Sequence, residues 1–510
     1  MGENMALRWK KVILQLKNFQ NMMKKIFRNK KATVGLIILA FFTFLAIFGP
    51  LFATNDPVSP GSVPAGKMPV AKVSAFPGWY RDFTGDPSYT NNVYLTQNAR
   101  FSDPSELSLW KNVTTSSGIN VSYNSENGYD TKGCIQVNFT EEGNATISIP
   151  FYYPYIIPPE MYAAEWSYSV KMQDETGQLG NLTIFVGFSH YLYGHEKSYP
   201  AAEPLRLSVA HTGWNPVPYH ATSSVSAALI RRYGTDPCSV IFTSLGQYTF
   251  EMTVQFSGNA TASGNPEVYL GNVNLVLFGN SFGVLGTDNV ARDLFTQLVT
   301  GTRVSFVIGI VSAVVSVSVG LIVGLVAGYI GGATDEVLMR ATDLLLVIPG
   351  LPLTIVLIFV LGQSLFNIVI VVGFLGWMGF ARTVRSAILS LKERAFIEAV
   401  KSAGGGRFYI IRRHLVPNVF PLVYITLAMA VPGAIVTEAA LSWLGLGPQD
   451  VMSWGRILYQ YEQSGKIATG AFTTWYWVIP PGLCIALLSL SFILIGYALD
   501  EILNPRLRER

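Results

Sequence analysis

The sequence has little charge. Of its 510 residues, 13% are Asp, Glu, Lys or Arg, and 36 basic side chains against 32 acidic ones leave a formal net charge of +4. That balance excludes the dense basic surface on which nucleic-acid binding depends. Cysteine is scarcer, with three residues, and the five histidines are scattered. No stretch therefore has the paired Cys/His spacing of a zinc site, and no metal is expected. No G-x-x-x-x-G-K-[ST] phosphate loop occurs, so the chain has no Walker-type cradle of its own for ATP. The expectation is a protein that is not an enzyme and holds no cofactor.

Apolar residues are abundant. Half the chain is hydrophobic and mean hydropathy is positive, a balance that fits the bilayer better than water. A spanning helix needs about 20 mostly apolar residues. Runs at 33–53, 304–330, 344–361, 366–380, 419–440 and 477–499 meet or approach that length. Six spans are therefore predicted. Pro349, Gly350, Pro352, Gly376 and Gly379 fall in the third and fourth, where neighbouring helices can re-satisfy the backbone. The first run is too long for a secretory h-region, which predicts a signal anchor that stays.

The basic residues sort by segment. Lys10, Lys11, Lys17, Lys24, Lys25, Arg28, Lys30 and Lys31 precede the first span. Arg382, Arg385, Lys392, Arg394, Lys401, Arg407, Arg412 and Arg413 lie between spans four and five, and Arg506, Arg508 and Arg510 end the chain. Positive-inside bias predicts that these three segments are cytoplasmic. The expected organisation is a basic cytoplasmic segment at 1–32, a first transmembrane helix at 33–54, an extracellular domain at 55–282 and a membrane core at 283–510. The core includes a cytoplasmic loop at 381–418.

Residues 55–282 change character. In "TFEMTVQFSG", Phe250, Met252, Val254 and Phe256 alternate with Glu251, Thr253 and Gln255. Similar short runs separated by Gly, Asn, Pro and Ser predict an all-β sandwich or jelly roll. Sequons at Asn112, Asn120, Asn138, Asn144, Asn181 and Asn259 all fall here, so glycosylation in an exported domain is expected. An exterior of this kind suits an archaeal cell surface. Cys134 and Cys238 share the domain, and a disulfide between them is expected in an oxidising exterior. Trp166, Tyr168, Trp214 and Tyr219 are read as sandwich-core aromatics, with a sugar-stacking platform as the alternative.

Between spans four and five, "VRSAILSLKERAFIEAVKSA" predicts an extended helix closed by Gly404, Gly405 and Gly406. "RFYIIRRHL" predicts a further short helix before Pro417 and Pro421. Phe396, Ala399, Val400 and Ala403 recur at helical spacing and predict one apolar stripe. Periodicity alone admits two readers for this loop, an anionic lipid surface or a groove on another protein.

Glu398, Ala399, Gly404 and Pro417 match the spacing of the "EAA" loop of permease subunits in ATP-binding-cassette importers. Val400, His414 and Val416 depart from the usual residues, although "RHLVPN" is similar to the "RHILPN" of the peptide/nickel class. Further likeness lies in "LGTDNVARD" (285–293, with Ala291 in place of a glycine), "GYIGGATDEVLMRATDLLLVIPGLPL" (328–353), "EAALSWLGLG" (438–447), "SWGRIL" (453–458) and 480–508. The chain thus resembles the C-type permease of dipeptide/oligopeptide/nickel importers, over the first anchor and 285–510.

The resemblance implies an all-α membrane domain of six helices, of the type I importer class, with the β domain as an unusual insert. It implies a homologous second permease, two ATPase subunits that bind ATP and Mg, and an extracellular solute-binding protein. It also implies that the loop is a coupling helix, with Glu398, Ala399, Lys401, Gly404, Arg407, Arg413, His414 and Pro417 in the contact. Short peptides are the implied substrate, with oligosaccharides or nickel as alternatives. From another class, a membrane-anchored extracellular binding module is the competing reading.

Within the spans, Asp343 is expected to pair with Arg340 three residues earlier, and Glu438 to serve a structural role. Ser305, Ser312, Ser316 and Ser318 with Gly309, Gly320 and Gly324 predict close helix packing. No substrate-path residue is assigned.

Overall fold

The structure is a computed structural model. It describes residues 29–53, 55–58, 70–95, 110, 112–129, 133–171, 181–192, 195–207, 214–215, 219–223, 227–261, 263–469 and 473–503. The basic leader before Asn29 and the terminal arginines lie outside them. The chain divides into two units, one formed by Met1–Val58 with Phe295–Arg510 and the other by Ser59–Leu294.

The apolar runs become helices. α1 (Lys30–Phe52) opens at Asn29, whose side chain accepts from the Lys31 and Ala32 amides. It closes on the last helix of the unit, where a Cβ at Gly35 would stand 2.8 Å from the Ser491 carbonyl oxygen. α2 (Leu294–Ile330) has 37 residues and, at 1.5 Å per residue, runs about 55 Å. It is followed by α3 (Gly332–Val347), α4 (Gly350–Leu361), α5 (Leu365–Leu375), α6 (Met378–Lys392), α7 (Ala395–Ser402) and α8 (Arg407–Ile410). A π-turn (Ile411–Leu415) then leads into α9 (Val416–Trp443), and α10 (Trp454–Gln463) and α11 (Trp475–Leu503) complete the unit.

Among the described residues, four helices are long and apolar enough to cross a membrane, and the count is six when each bent pair is one span. The bends correct two expected spans. The run 344–361 is not continuous, because α3 and α4 meet at 92°. Ile348, preceding Pro349, is pushed to ψ 127°, since the proline ring disfavours the helical region for its predecessor. α5 and α6 meet at 40° across Gly376 and Trp377.

The expected small-residue packing is present on α2. A Cβ at Gly309 would meet Ile435 at 2.6 Å, at Gly320 the Trp377 carbonyl oxygen at 2.8 Å, and at Gly324 the Ala381 carbonyl oxygen at 2.6 Å. Ser305, Ser312 and Ser316 are buried, whereas Ser318 is exposed.

Among the described residues, the other unit is an antiparallel sandwich of two six-stranded sheets. The central strands are β6 (Met161–Lys171), β12 (Glu267–Phe278), β11 (Gly246–Ser257) and β7 (Asn181–Leu192). The remaining strands are β1 (Val93–Tyr94), β2 (Asn112–Thr115), β3 (Ile119–Asn124), β4 (Cys134–Phe139), β5 (Gly143–Tyr153), β8 (His195–Pro200), β9 (Leu205–Leu207) and β10 (Tyr219–Thr222). One sheet runs β10-β6-β12-β4-β3 with β1 on β12, the other β2-β5-β11-β7-β8 with β9 on β7. The alternation read in β11 holds, since Phe250, Met252, Val254 and Phe256 all enter the core between the sheets. Trp166 is in that core and Tyr168 and Tyr219 pack against it, whereas Trp214 lies half-buried against Gly271 and Tyr129. The "LGTDNVARD" segment packs with this unit. Thr287 Oγ1 donates to the Lys72 carbonyl (2.6 Å) and accepts from the Ala75 amide (2.8 Å).

Candidate functional site

The segment 393–415 is a short helix bracketed by turns. The single long helix expected through 403 is interrupted at Glu393 and Arg394, where Arg394 is extended with ψ 142°. α7 then ends in a Schellman closure, with the Gly405 amide donating to Val400 O (2.9 Å) and the Gly404 amide to Lys401 O (3.0 Å). Gly404 holds φ +81°, and a Cβ on Gly405 would stand 2.7 Å from Val400 Cγ1. The first glycine is needed for its backbone, the second for its lack of volume.

"RFYIIRRHL" is not a separate helix. α8 passes through the π-turn directly into α9, with Pro417 in the first turn of α9. A proline there removes an amide and presses on the preceding turn, and the wider π-turn accommodates it. Asn418 Nδ2 donates to the His414 carbonyl at 2.6 Å.

The apolar stripe divides. Ile397, Ile410 and Leu415 are buried in one cluster with Val384 and Ile388 of α6 and Val317 of α2, with Val400 packed against it. Phe396, Ala399 and Ala403 face outward instead, beside Phe408, which is 73% exposed, and Tyr409. One face thus ties the segment into the helix bundle and the other is left bare. Of the residues singled out in sequence, Glu398, Ala399, Lys401, Gly404, Arg407, Arg413 and Pro417 are exposed and His414 is half-buried. The His414 ring lies 5.6 Å from Tyr409 and 6.3 Å from Phe396, which brings the two ends of the segment together.

A cavity of about 380 Å³ lies among α2, α4, α5 and α9. Three helices each present a pair four residues apart: Ser312 and Ser316, Gly350 and Thr354, Gly433 and Thr437. The Thr354 and Thr437 hydroxyls donate to the carbonyls of Gly350 (2.7 Å) and Gly433 (2.8 Å), and Ser312 Oγ donates to Val369 O (3.1 Å). These three hydroxyl protons are used locally, leaving a lining that is weakly polar and uncharged. Sequence reasoning assigned the serines to packing and missed the rest. Small or hydroxyl residues at i, i+4 on three separate helices are the signal that finds them.

The ion pairs correct another expectation. Asp343 pairs with Arg382, not Arg340, and Arg340 pairs with Glu336 one turn away (3.1 Å). Arg385 joins Asp335 through two contacts of 2.5 and 2.6 Å, so α6 is clamped to α3 at both positions. Glu438 is buried, with Oε1 accepting from Ser442 (2.7 Å) and Ser453 (2.6 Å). It fastens α9 to the start of α10, as the structural reading predicts.

In the β unit, the Cys134–Cys238 disulfide is not formed; both thiols are free and buried. Cys238 sits in the core, whereas Cys134 alternates to the face of β4 (Cys134–Phe139) opposite Ile135 and Val137. Burial pushes the Cys134 thiol up to about 11 and the Cys238 thiol to about 12. Among the sequons, Asn120, Asn144, Asn181 and Asn259 are exposed, and Asn138 is half-buried, accepting from Gln136 Nε2.

A bundle of spanning helices around a small uncharged cavity, with a bare helical segment tied to its core, defines a membrane component of a transport system. The chain belongs to the family of binding-protein-dependent transport system inner membrane components, whose model matches residues 320–509. Residues 17–64 match the N-terminal transmembrane domain of oligopeptide transport permease C. Over 226 residues it is 36% identical to the oligopeptide transport system permease protein OppC of Bacillus subtilis (strain 168), covering 44% of this chain and 72% of that protein. It is also 36% identical over 225 residues to the glutathione transport system permease protein GsiD of Pectobacterium atrosepticum, covering 44% and 73%. The inward-facing methionine transporter MetNI aligns at 21% identity over 40% of this chain and 96% of that one, with a TM-score of 0.32.

Proposed function

We propose that the chain is the permease subunit of an ATP-driven importer of short peptides. It lines half of the translocation path, opposite a homologous permease, and receives peptide from a solute-binding protein outside. Two ATPase subunits bind ATP and Mg on the inner side, where the 381–418 loop and both termini lie. The β unit is then extracellular, and the exposed Asn120, Asn144, Asn181 and Asn259 are its favoured glycosylation positions. Relatives named for oligopeptide and glutathione transport support peptides over oligosaccharides or nickel.

The observation that carries this reading is the split face of α7. Ala399 and Phe408 face away from the bundle core, yet Ile397 and Ile410 on the same segment reach it. Such a segment suits an external groove, and movement imposed there is transmitted to α2, α6 and α9. Closure of the ATPases then switches the bundle between two arrangements.

The test is peptide uptake and peptide-stimulated ATP hydrolysis in the assembled complex. Ala399→Glu and Phe408→Asp are expected to lower both at least tenfold while membrane insertion is unchanged. Full activity with either variant contradicts the reading.

A further inference from the structure

The outer face of the second sheet carries a cleft that the transport path does not use. Its floor is Gly187 on β7, which stands between Glu251 on β11 and Pro200 on β8 (His195–Pro200). With no side chain at 187 the floor stays open, and a Cβ there would come 3.0 Å from the Tyr199 carbonyl oxygen. The walls include Phe185, Ser198, Pro204 and Arg232, and the enclosed volume is about 320 Å³, within the range of small-molecule pockets. Arg232 is held over the cleft by the helix Ala227–Tyr233, whose Tyr233 hydroxyl donates to Pro200 O at 3.0 Å. Phe185 leaves 37% of its surface bare.

The charges decide what fits. Glu251 Oε1 accepts from Ser189 Oγ at 2.5 Å, and its other oxygen takes no hydrogen bond from a described residue. Arg232 forms no ion pair with a described residue, so the two opposite charges share one concavity without neutralising each other. A neutral sugar can hydrogen-bond to both groups but neutralises neither charge. A metal ion is repelled by the guanidinium, and a phosphate by the carboxylate. A small zwitterion uses both.

We propose that this cleft binds the free termini of a short peptide, with the α-ammonium on Glu251, the α-carboxylate on Arg232 and an apolar side chain against Phe185. The β unit then holds the same class of solute that the complex transports. The inference takes its substrate class from the peptide reading above.

The experiment titrates the full-length chain in nanodiscs with leucyl-phenylalanine by calorimetry. Saturable binding is expected, weakened at least tenfold by N-acetylation or C-amidation of the dipeptide, and likewise by Glu251→Gln or Arg232→Ala. The blocked dipeptides are read on the native chain, so the outcome does not depend on a variant folding. Absence of binding, equal binding of blocked and free dipeptide, or indifference to both substitutions overturns the proposal, as does displacement by a neutral oligosaccharide. If the assembled complex imports dipeptide while the chain shows no charge-dependent binding, the cleft assignment fails and the transport reading stands. Binding without import gives the reverse.

Discussion

Ala291 holds a left-handed backbone, φ +62°, in a turn closed by Asp288. The Asp288 carboxylate accepts from the Val290 and Arg292 amides at 2.9 Å and from Arg292 Nε at 2.6 Å. These bonds hold a conformation that costs a Cβ-bearing residue about 1–2 kcal/mol. Ala291→Gly relieves that strain and adds some unfolded-chain entropy, so a net gain of roughly 0.5–1 kcal/mol is expected. Thermal unfolding of the solubilised chain measures it. Glu165 gives a pH dependence. It is buried on β6 with Asn272 Nδ2 at 3.4 Å, and burial pushes its carboxyl up from 4.5 to about 7. The folded state therefore keeps a proton that the unfolded state loses, and stability falls as pH rises between those values. Glu165→Gln is expected to flatten that slope in unfolding measured from pH 4.5 to 7. Such residue-level facts were only partly legible. The motif flagged position 291 as unusual but not its φ, and spacing brought two cysteines into one domain without revealing that strand alternation turns Cys134 away from the core that holds Cys238.

The elements show where local code is strong and where it yields to packing. Three glycines after Ala403 stop a helix on their own chemistry, and they do so here. The interruption at Glu393 and Arg394 has no such signal; it is set by seating Ile397 against α6. Pro349 was visible as a tolerated proline, but its 92° consequence depends on α4 turning to line the cavity. Asp343 lay at helical spacing from Arg340, yet Arg382 on α6 holds it, a contact between helices that sequence distance hides. The closure of α7 can be tested directly. Gly405→Val places its Cβ 2.7 Å from Val400 Cγ1 and 2.9 Å from Val400 O, against backbone as well as side chain. Protease cleavage within 393–415 is expected to rise, and peptide uptake to fall with it, while the rest of the bundle stays resistant. Unchanged cleavage contradicts the assigned closure.

At the scale of the molecule, composition shifts separated an apolar helical unit from an alternating β insert, because period and hydropathy report directly on solvent. The cavity among α2, α4, α5 and α9 was not legible, since its lining comes from four helices and no single one carries a charged marker. The central claim is that an ATPase subunit reads the bare face of the 393–415 segment. A photo-crosslinking phenylalanine analogue at position 408, activated in native membranes, tests this most directly. The account predicts an adduct with the nucleotide-binding subunit whose yield changes when ATP is added. Adducts to lipid alone, in membranes that still import peptide with ATP, would contradict it.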